Sequence, residues 1–255
     1  TNASSSCRPE ITIAGAGGRH LMSVRARPIG ILACSFEGAA LCYRTIGLEA
    51  EALMGPHNHP RITLDNIPMA DMLPYFDRQD YAGLGALMAQ SARRLEAAGA
   101  ELLICPDNSC HLAFEQVNAG CTVPFLHVAE VVSATAQKSG FKKAAILGTA
   151  YTMRSTLYQD VLARAGIEAL SPRPEQQDVI DRIIFDELVK GSVTPRACAD
   201  VLAIIAEMIS AGCDSVVLGC TELPMIADAV SIPLPCLDST RLLAKAALRE
   251  SLSIG

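Results

Sequence analysis

The sequence lacks any unbroken apolar run near the ~18–20 residues that a membrane-crossing helix requires, although half of its 255 residues are hydrophobic. It also lacks a lysine- or arginine-rich cluster. With a formal net charge of −6, that argues against nucleic acid and anionic membranes as partners. Its ten cysteines contain no Cys-x-x-Cys pair, so a zinc site has little support. A disulfide framework is equally unexpected, because such frameworks belong to small secreted domains and this chain is neither small nor loop-rich. Most of the cysteines lie inside apolar segments, where a free thiol packs as a small hydrophobe. A soluble globular protein in a reducing cytoplasm is the expectation, with one or two cysteines left for chemistry.

The N-terminal stretch "TNASSSCRPEITIAGAGGRHL" lacks the charged start and apolar core of a secretion signal. Residues 1–21 read as a disordered leader or vector remnant, with the native chain expected to begin at Met22. Its "GAGGRH" is a poor dinucleotide fingerprint, since the third glycine would fall at His20 and no strand-then-helix pattern surrounds it.

What the chain does contain is an internal repeat. "AAGAELLICPDN" (97–108) parallels "SAGCDSVVLGCT" (210–221), pairing Gly99 with Gly212 and Asp107 with Cys220, each pair 113 residues apart. "PIGILACSF" (28–36) parallels "KAAILGTAY" (143–151), pairing Cys34 with Thr149, and "VPFLHVAE" (123–130) parallels "LPCLDSTR" (234–241), pairing His127 with Asp238. Short apolar strands alternate with amphipathic patterns such as 81–100 and 195–213, both ending near a glycine as a helix C-cap would. That alternation predicts βαβ units with parallel sheets. The expected architecture is α/β: two pseudo-symmetric Rossmann-like lobes around an active-site cleft. Lobe 1 is expected over 22–127 plus 238–255 and lobe 2 over 128–237.

Ligands of such sheets bind beyond the carboxyl ends of the strands, where Cys34, Asp107, Thr149 and Cys220 all fall. Two ionisable groups, Asp107 and Cys220, then approach one substrate from opposite walls. That arrangement suits inversion of a stereocentre, with a proton removed from one face and another returned to the opposite face. Blander roles stand beside these. Asp107 could form an Asx turn or helix N-cap, and Thr149, Thr152 and Thr221 could be turn and cap residues. Glu222 could support the site or cap the helix that Thr221 opens. His111 could orient a catalytic group or make a core contact, and the core contact is favoured. His57 and His59 read as a solvated loop rather than a metal pair. For Cys34, the backbone is expected to matter more than the sulfur.

The segments "GILACSFEGAALCYR" (30–44), "CPDNSCH" (105–111), "PFLHVAE" (124–130), "LGTAYTM" (147–153), "IIFDELVKG" (183–191), "LGCTELP" (218–224) and "LDSTRLLA" (237–244) together resemble the aspartate/glutamate racemase superfamily. Its members work without pyridoxal phosphate, using two opposed cysteines. The resemblance runs from about Pro28 to Leu248 and implies a cofactor-independent, metal-free isomerase acting on a small carboxylate, with a homodimer as a possible assembly. It places Cys220 on the second catalytic cysteine. It further implies that Ser35, Asn108, Thr149, Thr152 and Thr221 cradle the substrate carboxylate; their positions in the chain add Ser109 to that cradle and Cys34, His111 and Glu222 behind it.

Three departures accompany the resemblance. Asp107 stands where the first catalytic cysteine is expected. Met72 and Val189 occupy positions at which aspartate racemases hold the distal carboxylate with Arg and Lys, although Lys190 is one residue away. Leu243 replaces a histidine. Other readings of the scaffold therefore stay open: a decarboxylase of substituted malonates, a hydantoin racemase, or a non-catalytic small-molecule binding protein.

Overall fold

A computed structural model describes residues 25–253, so the expected leader and Met22 lie outside the described residues. The strands are β1 (Ile29–Ala33), β2 (Ile62–Asn66), β3 (Leu102–Ile104), β4 (Phe125–Leu126), β5 (Lys143–Gly148), β6 (Glu168–Leu170), β7 (Ser215–Gly219) and β8 (Cys236–Asp238). The helices are α1 (Phe36–Met54), α2 (Met69–Asp77), α3 (Tyr81–Ala97), α4 (Phe114–Asn118), α5 (Val128–Ser139), α6 (Ala150–Met153), α7 (Leu157–Arg164), α8 (Pro174–Asp186), α9 (Pro195–Ser210), α10 (Pro224–Ala229) and α11 (Ser239–Ser251).

The strands form two four-stranded parallel sheets, ordered β2-β1-β3-β4 and β6-β5-β7-β8. Each strand of the first sheet thus has a counterpart in the second at the same position, as the internal repeat requires. β1 and β7 are buried along their whole length, which explains why they read as continuous apolar runs rather than alternating ones. Helices α1 and α11 cover one face of the first sheet, meeting Ile29, Ile31 and Ala33, while α2 and α3 cover the other, meeting Leu32. On the second sheet α5 and α7 pack against Ala144 and Ile146, and α8 and α9 against Ala145 and Leu147.

The helix stops are symmetric as well. After α3 and α9 the chain turns through Gly99 (φ +94°) and Gly212 (φ +89°), a left-handed conformation that side chains other than glycine adopt at a cost. Each turn feeds the next strand, β3 or β7, and so fixes where Asp107 and Cys220 emerge.

Two helices pack on a sheet other than the one whose last strand they follow. α5 leaves β4 of the first sheet, yet most of its buried residues (Ala129, Val132, Ala136) pack on the second. α11 leaves β8 of the second sheet and buries Leu243, Ala244, Ala247 and Leu248 on the first. The chain therefore crosses between lobes at both places. Leu243, at the position where the resemblance expects a histidine, is one of these core residues.

Candidate active site

The carboxyl ends of β1, β3, β5 and β7 face one cleft of about 480 Å³, measured out to its open mouth. It is lined by Cys34, Ser35, Asp107, Asn108, Ser109, Thr149, Cys220, Thr221 and Glu222, so the structure brings most of the sequence-derived candidates together. Thr152 lies one hydroxyl behind the surface. His111 is not part of the lining. Its Nε2 bonds the Cys105 carbonyl at 2.9 Å, and its ring stacks on Phe114 and meets His127 edge-on, 4.7 Å between centroids. Burial, then the neighbouring His127, lowers its pKa to about 3. It is a neutral core residue that supports the turn after β3.

Asp107 follows β3 and makes no side-chain helix cap. Its two oxygens accept instead from the backbone N–H groups of Cys34 (2.8 Å) and Ser35 (3.2 Å) at the end of β1. Burial raises its pKa to about 7, against the opposing pull of the Cys34 amide and with the charge of Glu222 adding to the rise. The carboxyl is thus poised to exchange its proton near neutral pH.

On the opposite wall, Glu222 is a hub. Only 2 % exposed, it accepts from Cys220 Sγ (2.9 Å), from Thr221 Oγ1 (2.8 Å) and, across the lobe boundary, from Ser35 Oγ. Burial, reinforced by the Glu222 charge, raises the proton affinity of the Cys220 thiol. A thiolate formed there is accordingly a stronger base than an exposed one. Ser35 occupies both walls: its N–H holds Asp107, its hydroxyl holds Glu222, and that same oxygen caps α1 by accepting from Gly38 N–H (3.1 Å).

The remaining hydroxyls close the cleft floor. Ser109 from the first lobe meets Thr149 (2.9 Å) and Thr152 (3.0 Å) of the second. Asn108 is differently employed: its amide nitrogen donates to Ser239 Oγ (2.9 Å), and its carbonyl accepts from the buried Tyr158 hydroxyl. Its side chain therefore ties the lobes together rather than waiting for a ligand. The first turn of α1 comes close enough to the second lobe that a Cβ at Gly38 would lie 2.4 Å from Thr221. Gly38→Ala is expected to destabilise the fold by ~1–3 kcal/mol, the range for overpacked sites, which urea unfolding would measure.

The other half of the cleft, Val189 apart, holds none of the sequence-derived candidates. Met69, Leu73 and Phe76 of α2, Tyr151 of α6, Ile184 and Phe185 of α8 and Val189 form a continuous apolar wall. It is closed across the lobes by Phe76 stacked on Tyr151 (5.1 Å) and by the Tyr151 hydroxyl donating to Asp77 (2.6 Å). Met72 points away into the core, and Lys190 is not part of the lining. Among the described residues the lining contains no Arg, Lys or His. Cys34, Asp107 and Cys110 offer donor atoms within 4.8 Å of one another, the separation needed to share a metal ion, although the Asp107 oxygens already hold two backbone amides.

Comparison with known proteins decides the family. Residues 29–247 match the model of the Asp/Glu/Hydantoin racemase family. The chain belongs to that family. It is 28 % identical over 183 residues to the broad specificity amino-acid racemase RacX of Bacillus subtilis, covering 70 % of this chain and 78 % of the relative. Among solved structures it is similar to an aspartate racemase homologue from Pyrococcus horikoshii, with a TM-score of 0.75 and 26 % identity over 88 % of this chain and 99 % of the other. The fold also matches glutamate racemase from Francisella tularensis in complex with D-glutamate, with a TM-score of 0.67 and 16 % identity over 90 % and 83 % of the two chains. Among the described residues no helix is long and apolar enough to cross a membrane.

Proposed function

We infer that the protein is a cofactor-independent amino-acid racemase or epimerase, with the two lobes exchanging protons with Cα from opposite faces. Family membership supports the reaction class. The observation that carries the mechanism is the pairing across one cleft of two ionisable centres, Asp107 at the end of the first lobe's β3 and Cys220 with Glu222 at the end of the second lobe's β7. The substrate carboxylate is received by the hydroxyls of Ser109 and Thr149 and the turn amides around them, which are fixed donors where enediolate charge develops. Desolvation in the cleft strengthens those bonds at the moment the carbanion forms.

The wall opposite these donors receives the substrate side chain, and its chemistry selects an apolar one. A distal carboxylate placed against Leu73, Phe76 and Phe185 would be desolvated with no cation to meet it, while Asp107 and Glu222 repel it from behind. Leucine, methionine and phenylalanine bury the same surface favourably.

Loss of the Cα–H signal in D₂O, followed by proton NMR, tests the reading. Exchange and racemisation are expected with apolar amino acids, and kcat/KM for aspartate and glutamate at least ~100-fold lower, about the discrimination that 2.7 kcal/mol supplies. Absence of exchange with every amino acid of such a panel overturns the racemase reading. Faster turnover of aspartate or glutamate than of leucine overturns the assignment of the apolar wall.

A further inference from the structure

We propose that Cys34 is the second catalytic thiol: its sulfur exchanges the proton with Cα on the first lobe's wall, and Asp107 acts through it. The proposal rests on the racemase reading above and assigns a reacting atom within it.

The geometry begins with Asp107. Both of its oxygens are pinned by the amides of Cys34 and Ser35, so the carboxylate faces the turn at the end of β1. Cys34 belongs to that turn, lines the cleft and has its sulfur within 4.8 Å of the carboxylate. It is 9 % exposed, against 0 % for the neighbouring Cys105 and Cys110; Cys110, which also borders the cleft, has its Sγ 3.9 Å from that of Cys34. On the other wall Cys220 is 7 % exposed and hydrogen-bonded to Glu222. Each wall therefore carries a thiol that reaches the cleft and a buried carboxylate beside it. Ser35 touches both carboxylates, through its N–H on one side and its hydroxyl on the other.

Matched proton affinities on the two walls favour turnover in both directions. The group that removes a proton in one direction must deliver one in the other, and the free enzyme must pass between its two protonation states after each turnover. A bare carboxylate opposed to a thiol would strongly favour one of these states, whereas two thiol–carboxylate pairs populate both. In the forward step the Cys34 thiolate, whose own proton has passed to Asp107, takes the Cα proton as an S–H bond forms. The C–H electron pair enters the enediolate. Cys220 then gives its S–H proton to the opposite face of Cα and becomes the thiolate, so one wall gains the proton that the other loses.

The test is Cα exchange in D₂O measured separately with the L and D forms of leucine, methionine and phenylalanine, for Cys34→Ala, Cys220→Ala and Cys42→Ala. Cys42 is wholly buried in the core outside the cleft and serves as the control for removing a thiol. Each catalytic variant is expected to lose racemisation by ~10²–10⁴-fold, the usual contribution of a positioned acid or base. The two are expected to keep exchange with opposite enantiomers, and Cys42→Ala to keep both. Racemisation by Cys34→Ala within about threefold of wild type overturns the proposal, as does loss of the same enantiomer in both variants. Should Cys34→Ala fail to fold by circular dichroism, methylthiolation of the wild type decides. Labelling of Cys34 and Cys220 that these amino acids suppress supports the pair, and an unlabelled Cys34 overturns it. Failure of the wild type to exchange any of these amino acids strikes the racemase reading instead, so the two failures are distinguishable.

Discussion

Glu222→Gln is expected to lower kcat by ~10²–10⁴-fold in a protein that still folds, with KM little changed. The carboxylate accepts from three donors, Ser35 Oγ, Cys220 Sγ and Thr221 Oγ1, in a site whose lining holds no cation among the described residues. A glutamine of the same shape offers one acceptor oxygen and adds an N–H donor that must face another donor. At least one of the three bonds is lost, and a neutral amide cannot take the Cys220 proton. The surviving thiol has no base beside it, so exchange from the second lobe's face should disappear while exchange from the opposite face persists. Steady-state kinetics with enantiomer-resolved exchange checks both parts. A Gln variant with wild-type kcat would remove Glu222 from the mechanism. Glu222→Ala is the harsher change, leaving three buried donors unpaired at ~1–3 kcal/mol each.

Asp107→Asn is expected to remove an entire limb of the pH profile. The wild-type carboxyl titrates at about 7, and only its ionised form accepts a proton, so kcat/KM should fall as pH drops through 7. The variant should be at least ~10²-fold slower and flat over that range. The same group leaves a mark on stability. Its pKa is higher in the folded protein, about 7, than the ordinary 3.8, so between those values the folded state binds more protons than the unfolded one. Stability contributed by this group is complete below pH 4 and is lost as pH rises toward 7, at up to ~1.4 kcal/mol per unit. Urea unfolding from pH 4.5 to 7.5 should show that decline in the wild type and a shallower one in Asp107→Asn. An unchanged slope would mean that the carboxyl titrates elsewhere.

The fold was legible because the repeat carried it. The offset that pairs Gly99 with Gly212 and Asp107 with Cys220 corresponds to matched positions in two sheets of identical order. The hydroxyls at 109, 149 and 152 could be foreseen for the same reason, since each begins a turn after a central strand. What lay hidden depends on how the lobes face each other. Glu222 reads locally as a helix cap, and only the approach of Ser35 from the other lobe makes it a shared acceptor. Asn108 looks like a ligand contact until Tyr158 and Ser239 engage its amide. The apolar wall comes from one face each of α2 and α8, helices whose sequence signal is general amphipathicity, with Pro74 interrupting the first. For Cys34 the sequence expects the backbone to matter, and its N–H does hold Asp107; that its sulfur also lies beside that carboxylate depends on the approach of β3 to the end of the buried β1.

The exchange of α5 and α11 between sheets bears on how the molecule comes to exist at all. The first sheet is sealed by α11, which follows the last strand of the second, and the second by α5, which follows the last strand of the first. A nascent chain that has emerged only as far as Leu126 cannot complete its hydrophobic core, because Leu243, Ala247 and Leu248 are still unsynthesised. Each lobe therefore depends on a segment that follows the other for a sealed core, and the cleft between them is complete only once α11 has docked on the first sheet.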